Sequence, residues 1–170
     1  MIGLMTDEKV EIDNVANEPE IDDLILYLNS AGANILEEKN KITISKSSQL
    51  NQKEPFTIMS DRNELVTYAT LAVASGGDVT ISPIDENLIT SFLEIMKEAG
   101  AGVEKIAKDK FRFFYQGKIK PVDIETSPHP GFMTDWQPRW AILMLAAKGE
   151  SVIHERVFEN RFSYVEELKK

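Results

Sequence analysis

VTISPIDENLITSFLEIMKEAGAGV, residues 79–103, reads as a short β-branched strand, a loop of about five residues, and an amphipathic helix that stops at Ala-Gly-Ala. The same design recurs as VEIDNVANEPEIDDLILYLNSAGANI from Val10 and as VIHERVFENRFSYVEELKK from Val152, at a spacing of about 70 residues. An Asn/Glu pair opens each helix: Asn17-Glu18, Glu86-Asn87 and Glu159-Asn160. Helical spacing puts Ile21, Leu24, Ile25 and Leu28 on one face of the first copy, and Ile89, Leu93 and Met96 on one face of the second. Ala31-Gly32-Ala33 and Ala99-Gly100-Ala101 then supply glycine where a helix end calls for positive φ. The third copy lacks that stop, and its helix is expected to run from about Asn160 to Lys169-Lys170.

Working outward, a second helix type precedes copies two and three, at Asn63–Ser75 before Gly76-Gly77 and at Gln137–Lys148 before Gly149. Its apolar residues run nearly all round, which predicts burial on every side. Pro138 falls in a first turn, where its missing N–H costs nothing. Strands at Phe56–Met59 and Val122–Glu125 lead these helices. The middle copy then reads as β (56–60), α (63–75), β (79–82), α (87–100), β (103–106), β (111–115), a βαβαββ unit of about 60 residues. The first copy is half a unit, with strands at Asn34–Glu37 and Lys41–Ser45, and the third, 122–170, is truncated. The expected fold class is α/β, built from partial repeats of this unit, and the chain reads as a slice cut at both ends. Helices of this kind bury their apolar faces against sister units, so the slice is expected either to associate or to be marginal alone.

The chain of 170 residues is long enough for a substantial core. Its net charge of −9 disfavours phosphate backbones and anionic lipid, so neither nucleic acid nor membrane is an expected partner. With no cysteine, disulfides, thiolate metal sites and cysteine nucleophiles are excluded within this chain. The longest apolar run, Trp140 to Ala147, is far below the roughly 18 to 20 residues that span a bilayer, and the start has no signal-peptide pattern. A cytoplasmic location is the expectation.

Unusual residues concentrate in Ser127-Pro128-His129-Pro130-Gly131-Phe132-Met133-Thr134-Asp135-Trp136-Gln137, between a strand and a helix. Thr134 or Asp135 could cap that helix, or Asp135 could serve as a base. His129 between two prolines is either a turn residue or part of a site. About one repeat earlier stands Asp61-Arg62, read either as cap plus solvent-exposed pair or as an arginine facing an anion. Glu159 suits a helix start, whereas Arg161 in a first helical turn opposes the macrodipole and asks for another explanation. His129 and His154 have no paired ligand spacing, and there is neither a Walker loop nor GxGxxG, so no metal or cofactor is expected.

NEPEI (17–21), the Asp61-Arg62 pair, SPHPGFMTDWQP (127–138) and VFENRFSYVEEL (157–168) together resemble the UDP-N-acetylglucosamine enolpyruvyl transferases, within the EPSP synthase superfamily, from about Val10 to Lys170. The resemblance implies a two-domain inside-out α/β barrel of six βαβαββ units with the site between domains. It implies transfer of the carboxyvinyl group of phosphoenolpyruvate to the 3′-hydroxyl of UDP-N-acetylglucosamine, in peptidoglycan precursor synthesis. Residues 1–59 would finish one domain and 60–170 begin the other, with Glu18 and Arg62 facing the cleft. Asp135 matches the aspartate that contacts the sugar 3′-hydroxyl and is its candidate general base. Val157 matches a backbone contact to the UDP-sugar, and Glu18, Arg62, Thr134 and Arg161 match cleft residues near the nucleotide sugar. His129 carries over only as a loop-shaping residue.

The family's cysteine-bearing proton-donor loop, its Lys-Asn pair and its further phosphate-binding arginines have no counterpart in this sequence. Most members also carry Met where this chain has Trp136. The isolated chain is therefore expected to be inactive without the remaining part of the two-domain enzyme, since charge developing on phosphoenolpyruvate would lack donors. The alternative reading is a non-catalytic sugar-nucleotide-binding or scaffolding module.

Overall fold

The computed structural model describes residues 1–47 and 49–170, which divide into two units, Met1–Met59 and Ser60–Lys170. In the first, strands β1 (Val10–Asp13), β2 (Asn34–Glu38) and β3 (Lys41–Ser45) form an antiparallel sheet in the order β1-β3-β2. Alternation along β3 turns Ile42 and Ile44 inward, and helix α1 (Pro19–Ser30) lays Ile25 and Leu28 over them and Ile35. Leu24, expected on that face, is partly exposed at its edge.

The second unit repeats the design with β4 (Asp78–Ile81), β5 (Gly102–Ala107) and β6 (Lys110–Phe114) in the order β4-β6-β5, covered by helix α3 (Thr90–Glu98). Phe111 and Phe113 take the inward positions on β6. Ahead of α3, a 3-10 turn at Glu86–Leu88 is capped by the Asp85 carboxylate, which accepts from the Asn87 N–H. Both amphipathic helices end as their Ala-Gly-Ala predicts. Gly32 (φ 101°) and Gly100 (φ 82°) sit in the left-handed region, and the N–H groups of Ala33 and Ala101 reach back to Leu28 and Met96.

Helices α2 (Arg62–Ala74) and α4 (Gln137–Leu145) pack on each other, and β7 (Ile124–Glu125) pairs in parallel with β8 (Ile153–His154). The Asp61 carboxylate caps α2 by accepting from Asn63 and Glu64 N–H. Around α2 and α4 gather Phe92, Phe111, Phe113, Phe132, Trp136 and Trp140, all buried. Each contributes about 2 to 3 kcal/mol of transfer free energy.

Three expectations are corrected here. Residues 56–60 form no regular element and join no sheet among the described residues. In place of a ladder partner, the Met59 N–H donates to Asp23 Oδ1 and the Phe56 ring meets Tyr27 edge-on. The two apolar helices are not buried all round: Tyr68, Leu71, Ile142 and Leu145 are exposed, because neighbours cover only one side of each. The third amphipathic helix does not start at Asn160, which lies at φ 58°; residues 157–164 are turns, and only α5 (Val165–Leu168) is helical. Glu159 therefore starts no helix, and Arg161 lies in no helical turn. Local side-chain bonds to the backbone hold the alternative conformation. Among the described residues no helix is long and apolar enough to cross a membrane.

Candidate active site

Four short segments of the second unit converge: the end of β7, the loop 127–137, the turns 155–164 and the start of α2. After Thr126 the chain makes a tight loop closed by Ser127 N–H to Phe132 C=O and Gly131 N–H to Pro128 C=O, with the His129-Pro130 peptide bond cis. Ser91 Oγ donates to the Gly131 carbonyl and ties this loop to α3. A 3-10 turn at Thr134–Trp136 then runs into α4.

Neither Thr134 nor Asp135 caps α4, correcting that reading. Thr134 Oγ1 instead donates to Glu155 Oε2 (2.8 Å) and accepts from Arg161 Nη1 (3.0 Å). Arg161 Nη2 forms an ion pair with Asp135 Oδ1, its guanidinium lying 5.2 Å from the Phe158 ring centroid. Arg139 donates to the Asp135 carbonyl and so pins the backbone. Asp135 Oδ2 has no protein partner among the described residues, and the side chain is partly exposed. A carboxylate fixed through one oxygen, with the other able to accept a hydroxyl proton, has the form of a general base.

Glu155, which sequence reasoning did not single out, organises this region. Oε1 accepts from Thr126 Oγ1 (2.8 Å), Val157 N–H (2.8 Å) and Phe158 N–H (3.0 Å), and Oε2 accepts from Thr134 Oγ1 and Gln137 Nε2 (3.1 Å). Burial pushes the Glu155 carboxyl up, but the Phe158 N–H, the two threonine hydroxyls and the Val157 N–H outweigh it and bring it down to about 2. The sequence carried no signal for it, because the demand for a shared acceptor comes from Thr126, Thr134 and Gln137, whose burial only the structure shows.

Arg62, far from forming a solvent pair, is buried. Its Nη1 lies 3.1 Å from His129 Nδ1, and since a guanidinium only donates, the imidazole nitrogen is the acceptor of this contact. The same guanidinium lies 6.0 Å from the Trp136 ring centroid, and Trp136 meets Phe92 and Phe132 edge-on. The buried indole N–H finds no acceptor among the described residues, a cost a methionine here would avoid. Thus Thr134, Asp135 and Arg161 come together, Val157 joins them through Glu155, and Arg62 pairs with His129 beside Trp136. Glu18 belongs to the other unit, at the start of α1. Among the described residues no group of three acidic or histidine side chains could hold a metal ion.

The repeated strand-and-helix modules and a carboxylate–arginine site in loops at their ends define an α/β repeat protein with a polar loop site. The chain belongs to the EPSP synthase (3-phosphoshikimate 1-carboxyvinyltransferase) family, which matches residues 1–170. Curated relatives include UDP-N-acetylglucosamine 1-carboxyvinyltransferases from Kosmotoga olearia (38% identity, 99% of this chain, 40% of that one) and Caldanaerobacter subterraneus (40% identity, 100% of this chain, 41% of that one). The chain spans about 40% of the length of these relatives. In fold it is similar to the enolpyruvyl transferase NikO from Streptomyces tendae, with a TM-score of 0.81 at 23% identity, over 99% of this chain and 40% of that one.

Proposed function

We propose that this chain supplies part of an enolpyruvyl transferase that joins the carboxyvinyl group of phosphoenolpyruvate to the 3′-hydroxyl of UDP-N-acetylglucosamine, for peptidoglycan precursor synthesis. The net change replaces the sugar O–H bond by an O–C bond and releases phosphate, so the hydroxyl proton needs an acceptor. Asp135 is that acceptor. The observation that carries this reading is the Arg161–Asp135 pair, with Thr134 bridging to Glu155, in a chain about 38% identical to named carboxyvinyltransferases. Arg161 holds Oδ1 and leaves Oδ2 for the hydroxyl. Because the Val157 N–H is already bonded to Glu155, Val157 would meet the sugar nucleotide through its carbonyl oxygen. Arg62 and Glu18 belong to the same proposal as sugar-nucleotide contacts, residues 1–59 and 60–170 as portions of two successive domains, and the rest of the two-domain enzyme as the required partner.

The test has two arms. Amide NMR titration of the 170-residue chain with UDP-N-acetylglucosamine should move signals around Asp135 and Val157. In a chimera where this chain replaces the matching segment of the Caldanaerobacter relative, Asp135→Asn should lower phosphate release by about 10²- to 10⁴-fold while sugar-nucleotide affinity falls by no more than about tenfold. Unchanged turnover would sink the base role. Binding by the chain together with an inactive chimera would favour a non-catalytic sugar-nucleotide module.

A further inference from the structure

We infer that Glu155 is the positioning residue of this site, its Oε2 orienting Asp135 through Thr134 and Arg161 while its Oε1 folds the Val157–Phe158 turn. The inference rests on the reading of Asp135 and Val157 as sugar-nucleotide contacts. Thr134 has a single hydroxyl proton and spends it on Oε2, so only oxygen lone pairs face Arg161 Nη1. That leaves Arg161 Nη2 directed at Asp135 Oδ1. Gln137 is fixed in the same sense: Tyr164 O–H donates to its Oε1, so its Nε2 must point at Glu155. All five donors around Glu155 therefore require an acceptor on both carboxylate oxygens, a demand that an ionised carboxylate meets and an amide cannot.

The two oxygens differ in what they can tolerate. Two of the three donors on Oε1 are backbone N–H groups that cannot reorient, and the third, Thr126 Oγ1, also accepts from the Arg156 N–H. In Glu155→Gln the amide oxygen must take the Oε1 side, and its NH₂ then meets Gln137 Nε2 donor to donor. Flipping Gln137 would oblige Tyr164 to accept from Nε2 and lose the acceptor of its own proton, so the Thr134 limb gives way first. The substitution should release Asp135 and Arg161 while leaving the Val157 turn in place.

Wild-type and E155Q forms of the 170-residue chain decide this. Amide hydrogen exchange at Val157 and Phe158 should change less than about threefold, whereas the Arg161 guanidinium NMR signals, in slow rotation when held by Thr134 and Asp135, should average. Affinity for UDP-N-acetylglucosamine should fall about tenfold in E155Q, and adding E155Q to D135N should cost less than about twofold more, since both act on one carboxylate. An ordered Arg161 in folded E155Q, or additive losses in the cycle, overturns the inference. If E155Q does not fold, Thr134→Val cuts the same relay, and an Arg161 that stays ordered in that variant is equally fatal. If the wild-type chain takes no UDP-N-acetylglucosamine, the functional reading fails at that step, and the Arg161 signals alone decide the role of Glu155.

Discussion

The module β1-α1-β2-β3 and the module β4-α3-β5-β6 have the same topology and the same register: Val10 and Ile35 flank Ile44 in one, Val79 and Val103 flank Phe113 in the other. Their cores nonetheless differ in depth. Ile25 and Leu28 of α1 remain 9% and 5% exposed, whereas Phe92 and Met96 of α3 are fully buried. Only the second module shares its unit with α2, α4 and the Trp136–Trp140 cluster, which close the open side of its helix. Local sequence builds the module, and its surroundings decide how dry it becomes.

The largest effect should come from Phe92→Ala, which opens a cavity among rings and should cost about 3 to 5 kcal/mol. Leu28→Ala, at a thinner core, should fall near the lower end of about 2 to 5 kcal/mol. Denaturant unfolding followed by residue-resolved NMR in each unit reads both values, and equal losses would break the contrast. Next come the two helix stops. Gly32→Ala places a Cβ in open space and should cost about 1 kcal/mol for the positive φ alone, while Gly100→Ala also sets a Cβ 3.1 Å from the Lys118 carbonyl oxygen and should cost more. Matching thermal shifts would show that crowding at Gly100 relaxes freely.

The smallest effect concerns two glutamates held near a pKa of about 2 by different means. Glu11 is lowered by hydrogen bonds to Lys41 and Lys9 at the surface, and Glu155 by backbone and hydroxyl donors that outweigh its burial. For both, the folded value lies below the unfolded one, so each contributes stability above about pH 4.5 that is lost as the pH falls towards 2. Added salt should move the Glu11 midpoint back up and leave the Glu155 midpoint in place, since screening weakens exposed ion pairs and not short dipolar bonds. Carboxyl NMR titrations in low and high salt check this, and a Glu155 midpoint that follows salt would assign it an ionic partner instead.

The residues show where reading by sequence works. Ile42-Thr43-Ile44 alternate as a half-buried strand must, and the two Ala-Gly-Ala stops close their helices, because these are properties of one strand or one turn. Phe56–Met59 carries a strand-like pattern but finds no neighbour to pair with, and a strand needs a second backbone. Asn160 followed a helix signal and fell instead in a turn set by a carboxylate five residues earlier. Within the candidate site, Asp135, Thr134 and Arg161 were reached through the resemblance of the motifs that carry them, but Glu155 was hidden because its five donors come from three separate segments.

By itself, then, the sequence determined the repeated modules, the apolar faces of their amphipathic helices and their glycine stops, all of which depend on contacts within a few residues or one hairpin. Only the tertiary structure decided that Arg62 is buried against His129 and Trp136, that α2 and α4 keep one bare face, and that Glu155 joins Thr126, Thr134, Gln137 and the Val157 turn. The reason is physical: burial and hydrogen-bond saturation are properties of a place in space, filled by chain segments whose separation in sequence carries no periodic signal.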